Sequence, residues 1–96
     1  GIRYWYTGTA TVALDSSTLR ELWTMPDTLG AGMLYAGRLL VPVPEGLAVV
    51  DPSTGEKRGM IPVDRRGYTG PVELDSAGAI VLERRGDTLV ALRPGR

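Results

Sequence analysis

The segment Asp51-Pro-Ser-Thr-Gly-Glu-Lys-Arg-Gly-Met-Ile-Pro62 has an echo upstream, Asp15-Ser-Ser-Thr-Leu-Arg-Glu-Leu-Trp-Thr-Met-Pro26, and this repetition constrains the fold more than anything else in the chain. The copies lie 36 residues apart and share Asp15/Asp51, Ser17/Ser53, Thr18/Thr54 and Pro26/Pro62, with Met25 opposite Ile61. Each follows an apolar strand, Val12–Leu14 in one and Leu47–Val50 in the other, and a third such strand, Leu89–Leu92, runs into Arg93-Pro94-Gly95-Arg96. Such self-similarity at a fixed period means stacked supersecondary units rather than a single irregular core.

The shared corner has a physical reason. An Asp leaving a strand accepts hydrogen bonds from backbone N–H groups one to three residues on, which closes a tight turn. Asp15, Thr18, Asp51, Thr54 and Gly55 are therefore structural turn residues. Pro52 presets φ, and Gly55 permits a positive φ where the chain re-enters a strand. Leu19 stands where Gly55 stands, so the first turn is expected to be built differently. A calcium loop would need oxygen side chains at alternating positions, whereas here one Asp stands alone.

Composition narrows the function classes. Eleven basic and eleven acidic residues cancel, with 5 basic and 7 acidic in residues 1–64 and 6 and 4 in residues 65–96. Neither half has the single-sign field that nucleic acid or an anionic membrane calls for. The sequence has no Cys and no His, which removes disulfides, thiolate metal sites, cysteine nucleophiles and the commonest general base. Arg38, Pro42, Pro44 and Glu45 break the longest apolar region, Ala31 to Val50, so it is not a membrane span. No signal peptide is present, and an export signal upstream is compatible with a chain that begins mid-pattern.

Read in order, Ile2–Thr7 is β-branched and aromatic, and Gly8-Thr9 turns it into Ala10–Leu14. The cluster Tyr4, Trp5, Tyr6 has the composition of a stacking platform for a sugar or base. Alternation along a strand instead sends neighbours to opposite faces, as core and edge packing. Leu19–Met25 loosely mimics a helix with a capping box, but Gly59 and Pro62 in the aligned copy argue for strands in both. Met33–Ala36, Arg38–Val43 and Leu47–Val50 follow, with turns at Gly37 and Glu45-Gly46. Their nearly continuous apolar character predicts strands covered on both faces. Glu56–Ile61, polar in its first half, suits a rim. Pro42 is expected at a bulge or where its missing N–H faces no partner. Beyond the polar connection 64–68 come Gly70–Leu74, a turn at Asp75–Gly78, Ala79–Glu83, a turn at Arg84–Asp87 that carries the Gly86-Asp87 hairpin signal, and Leu89–Leu92.

The predicted fold is all-β. Four short strands per period of 36 to 42 residues, the inner ones apolar on both faces and the outer one polar, are what antiparallel four-stranded propeller blades require. The runs Gly-Pro-Val-x-Leu-Asp-x-x-Gly-x-Ile-Val at 70–81 and Gly-Leu-Ala-Val-Val-Asp-Pro-Ser-Thr-Gly at 46–55 resemble quinoprotein-type (pyrroloquinoline-quinone-like) β-propeller repeats. The resemblance covers nearly the whole of 1–96, taken as a single segment with one complete blade (33–61) and two partial ones (2–25 and 71–92). It implies a Trp about eight residues after the turn Asp that locks one blade to the next; Trp23 fits and Gly59 does not. It also implies an extracytoplasmic or cell-envelope scaffold or binding domain where the quinone is absent. The carboxylates and vicinal disulfide of the quinone-dependent dehydrogenases map onto nothing here, so no cofactor is assigned.

Two and a half blades do not close a ring, and open ends expose strand edges and apolar faces. The chain is therefore expected to be part of a larger propeller or to self-associate. Candidate chemistry is thin. Glu73 and Asp75, two apart, share a face as an acid/base pair would, but a solvent-facing edge and a turn Asp account for them. Arg65, Arg66, Arg84 and Arg85, with Tyr68, are the candidate contact surface for a protein partner; as Arg pairs they also suit phosphate. Ser16, Ser17 and Ser53 have no His, and the lone Lys57 forms no evident dyad with them. The expected function is a non-catalytic binding or scaffold module for protein or cell-envelope partners. The alternative is a non-catalytic segment of a larger propeller enzyme such as a quinone-dependent dehydrogenase. A small immunoglobulin-sized β-sandwich fits the length but leaves the 36-residue echo unexplained.

Overall fold

The computed structural model describes residues 1–92, and the run Arg93–Arg96 lies outside the described residues. The chain is all-β, with ten strands and no helix among the described residues. They are β1 (Ile2–Tyr6), β2 (Ala10–Asp15), β3 (Glu21–Pro26), β4 (Met33–Tyr35), β5 (Arg38–Val43), β6 (Gly46–Val50), β7 (Lys57–Pro62), β8 (Val72–Ala77), β9 (Ile80–Arg85) and β10 (Thr88–Leu92). They form three antiparallel meanders in the orders β1-β2-β3, β4-β5-β6-β7 and β8-β9-β10.

The middle sheet explains the unbroken apolar run. Along β5, Leu39, Val41 and Val43 face the first sheet and pack with Ala13, Trp23, Ala48 and Val50. Leu40, on the opposite face, packs with Leu47 and Val81 against Leu74 and Leu92 of the third sheet. Successive strand residues point to opposite faces, so a strand with a sheet on each side must be apolar at every position. β7 is exposed in its first half, as a rim strand should be.

Pro42 sits in the middle of β5, paired with Leu47 and with no bulge. β4 pairs only with Arg38–Leu40. The Pro42 carbonyl accepts the Leu29 N–H at 2.7 Å, so this edge of the residue faces a loop. Its missing N–H therefore interrupts no ladder.

Four turn expectations are corrected. The turn expected over Arg84–Asp87 falls at Gly86 and Asp87 alone, because Arg84 and Arg85 belong to β9. Asp75 is not in a turn: β8 continues through it to Ala77, and the reversal falls at Gly78 and Ala79. Gly46 belongs to β6, where its Cβ would lie 2.1 Å from the Ile61 carbonyl oxygen, so the turn is Pro44-Glu45. Leu19 does not force a different corner. It adopts φ 60, close to the 76 of Gly55, and the first corner carries the same bonds to backbone N–H groups as the second.

Candidate functional site: the joints between sheets

The two Asp corners share their bonds to backbone N–H groups, and the second adds an ion pair from the Arg58 Nη2 to the Asp51 Oδ2 at 3.3 Å. The Asp15 Oδ1 accepts the N–H groups of Ser17 (2.9 Å) and Thr18 (3.0 Å), and the Asp51 Oδ1 those of Ser53 (2.9 Å) and Thr54 (3.3 Å). Each Asp carbonyl accepts from the residue four on, Leu19 at 2.8 Å and Gly55 at 2.9 Å. Each Thr hydroxyl accepts the N–H two residues on, from Arg20 at 3.3 Å and Glu56 at 3.2 Å. A register shift precedes both corners, at Ala13/Leu14 and at Val49/Val50. These N–H bonds, Thr18 foremost for Asp15 and Ser53 foremost for Asp51, hold both carboxyls below the usual aspartate range, because they favour the charged form.

The first joint is made by Trp23. From β3 its Nε1 donates to the Pro52 carbonyl at 2.9 Å, so the first sheet grips the corner of the second. The ring lies on Gly55, where a Cβ would meet the indole Cδ2 at 2.6 Å. Tyr4 packs beside the indole in a tilted arrangement, 6.1 Å between ring centroids. Its hydroxyl pKa is raised, first by burial and then by the nearby Asp51 carboxylate. Of the aromatic trio, Tyr4 is thus core and Tyr6 donates to the Gly8 carbonyl at 2.8 Å, while Trp5 is 61% exposed on the outer face.

The second joint is ionic. Glu83, fully buried, receives Arg65 through Nε–Oε1 at 2.8 Å and Nη2–Oε2 at 3.0 Å. The same Arg65 donates to the carbonyls of Val43 (2.6 Å) and Gly46 (2.9 Å). Arg85 donates its Nε to the Glu83 Oε1 at 2.6 Å. The residue of β5 in the register of Glu83 is Val41, and that of Arg85 is Val43. Two apolar positions of the second sheet are therefore a carboxylate and a guanidinium in the third.

This arrangement corrects the proposed contact surface. Arg65 is buried and fully engaged, so it is a tie between sheets rather than a surface residue. Arg85 is mostly buried beside it. Arg66 is exposed in a left-handed conformation, φ 53, with its N–H bonded to the Asp64 Oδ1 at 2.8 Å. Tyr68 folds over Gly70 and donates to the Pro71 carbonyl at 2.6 Å. Arg84 is exposed on the opposite face, across from Glu73. Glu73 and Asp75 share that exposed face, Asp75 across from Leu82. Lys57 and Ser16, Ser17 and Ser53 are exposed. Glu83 was the residue missed from sequence; an acidic side chain inside an otherwise apolar strand was its signal.

A groove of about 630 Å³ opens between the second and third sheets, lined by Pro62, Val63, Arg66, Arg85, Thr88 and Val90 among others. Compared with protein-family models, with curated proteins and with solved structures, the chain matches none.

Proposed function

We propose that the three sheets are successive blades of a β-propeller of the quinoprotein-repeat type, and that the chain works as a non-catalytic binding or scaffold module for protein or cell-envelope partners. The observation that carries this reading is the repeated meander with its Asp corner. The chain passes from the last strand of one meander to the first strand of the next, β3 to β4 and β7 to β8. The first strand of the third sheet, β8, lies against both β4 and β5 of the second. Leu29 bridges β5 and the start of β8, donating to the Pro42 carbonyl and accepting from the Val72 N–H, both at 2.7 Å.

The outermost faces support the same reading. On the first sheet Trp5 is 61% and Leu22 45% exposed, and on the third Leu89 is 54% exposed. Faces of this kind are ordinarily covered by another blade, either from the same protein or from a second copy. Sedimentation velocity of the full chain at micromolar concentration tests this. Concentration-dependent association that the pair Leu22→Glu and Leu89→Glu abolishes is the expected result. A monomer at every concentration, with both faces open to water, would refute the reading.

A further inference from the structure

We propose that the open edge of β10 takes an added antiparallel strand that places a carboxylate opposite Thr88, held by Arg85 and Arg66 in the groove between the second and third sheets. The inference deepens the binding-module reading by supplying the chemistry of the bound segment.

Three observations meet there. The first is an edge: β9 pairs with one side of β10, and among the described residues no strand pairs with the other. Its counterpart β6 is paired on both sides, by β5 and β7. Unpaired strand edges are templates for a further strand.

The second is charge. Two guanidinium groups, Arg65 and Arg85, share the single carboxylate of Glu83. Each nitrogen of Arg65 is engaged by Glu83 or a carbonyl, whereas among the described residues Arg85 has only its Nε engaged. The Arg85 side chain is 9% exposed, and no sealed polar side-chain atom lacks a partner among the described residues. Its terminal nitrogens therefore reach solvent, and the groove is the opening that Arg85 lines. A nearly buried cluster with a net positive charge favours an anion, and a planar guanidinium with free N–H groups matches a carboxylate. Exposed Arg66 lines the same groove, so that Arg65, Arg66 and Arg85 stand there against the one lining carboxylate of Asp64, which accepts the Arg66 N–H.

The third is register. In the second sheet Val43 pairs with Gly46, and Gly46 with Pro62 of β7. In the third, Arg85 pairs with Thr88. Directly opposed residues share a face, so the residue of an added strand opposite Thr88 lies on the face of Arg85. Two positions earlier in that strand its residue meets Val90, where Ala48 meets Met60 in the complete sheet. An acidic residue there, preceded at alternate positions by apolar ones, is the matching pattern.

The test uses the full chain and a fluorescent, capped peptide with the core valine–threonine–valine–threonine–glutamate, beside a twin ending in glutamine. Fluorescence anisotropy should show the glutamate peptide binding about tenfold more tightly than its twin. Arg66→Asn, which suits a left-handed position, should erase much of that preference, as should Arg85→Gln if it folds. Bound peptide should slow amide exchange across Leu89–Leu92. Equal affinity for both peptides, binding without that protection, or no binding at millimolar peptide would each overturn the proposal. The blade reading is judged separately by association through the sheet faces, so either can fail alone.

Discussion

Replacing Gly55 by Ala isolates the joint between the first two sheets, because the structure contains its own control. Gly37 has almost the same φ, 78 against 76 for Gly55. A Cβ at Gly37 would meet nothing within 4 Å, whereas at Gly55 it would meet the Trp23 ring at 2.6, 2.7 and 2.9 Å. Gly37→Ala therefore reports only the left-handed conformation, a cost of about 1–2 kcal/mol, offset by roughly 0.4–1 kcal/mol from the stiffer unfolded chain. Gly55→Ala adds the overlap with a side chain pinned by Tyr4 on one side and by its bond to Pro52 at the rim. Overpacking of that kind costs about 1–3 kcal/mol. The two variants should thus separate by at least about 1 kcal/mol in urea unfolding followed by circular dichroism. Leu19→Gly is the mirror experiment. Leu19 has φ 60, is 59% exposed and carries no tryptophan over it, so the exchange should be neutral or stabilising by up to about 1 kcal/mol. If Gly55→Ala and Gly37→Ala unfold together, the indole does not clamp the second corner and the account of the joint is wrong.

Three further outcomes follow from the same contacts. Trp23→Phe removes the bond to the Pro52 carbonyl and part of the indole, and should cost about 1–3 kcal/mol in the same unfolding measurement. Arg65→Met leaves Glu83 fully buried with Arg85 as its one counter-ion, a loss of about 3–5 kcal/mol, while the double change Arg65→Met/Glu83→Leu should cost less than the single one in thermal melts. Both corner carboxyls are depressed by backbone N–H bonds, so their contribution is complete above the ordinary aspartate value of about 4 and is lost as pH falls through the lower folded value. Asp15→Asn with Asp51→Asn should accordingly flatten the acid limb of a stability–pH curve.

Much of the architecture was legible because it rests on short-range rules. The Asp corners follow from one side chain bonding to amides two and three residues on, and the apolar run of β5 from having a sheet on each side. The errors came where a residue type is ambivalent. Asp75 resembled the corner residues Asp15 and Asp51, but it lies two residues before the end of β8 and its Oδ1 bonds only the Ser76 N–H, at 2.8 Å. Leu19 was expected to alter its corner, yet five hydrogen bonds converge there and outweigh the preference of a single side chain. Of the candidate contacts, Arg65 was placed on the surface because adjacent arginines in a polar connection ordinarily are. Its partner Glu83 lies 18 residues on, in a segment whose facing could be judged only once the sheets were stacked.

The two joints show why Gly59, where the resemblance implies a Trp, does not leave the third sheet unattached. It stands where Trp23 stands one unit earlier, and its Cβ site faces only Val49, at 3.9 Å. No indole reaches the third sheet from there. The second sheet is instead bound to the third by Arg65, which comes after β7 and satisfies two carbonyls of the second sheet and a carboxylate of the third at once. An aromatic clamp stabilises by area and tolerates small shifts, whereas an ion pair bonded on every side fixes one geometry and gains little net energy against an apolar substitute. The Glu83 cluster also keeps one guanidinium only partly engaged, at the rim of a groove beside an open strand edge. An apolar clamp at the same place would hold the sheets together equally well and leave nothing for an anion to recognise. The substitution of Val41 and Val43 in one sheet by Glu83 and Arg85 in the next therefore changes the joint from a packing contact into a polar surface with a defined charge.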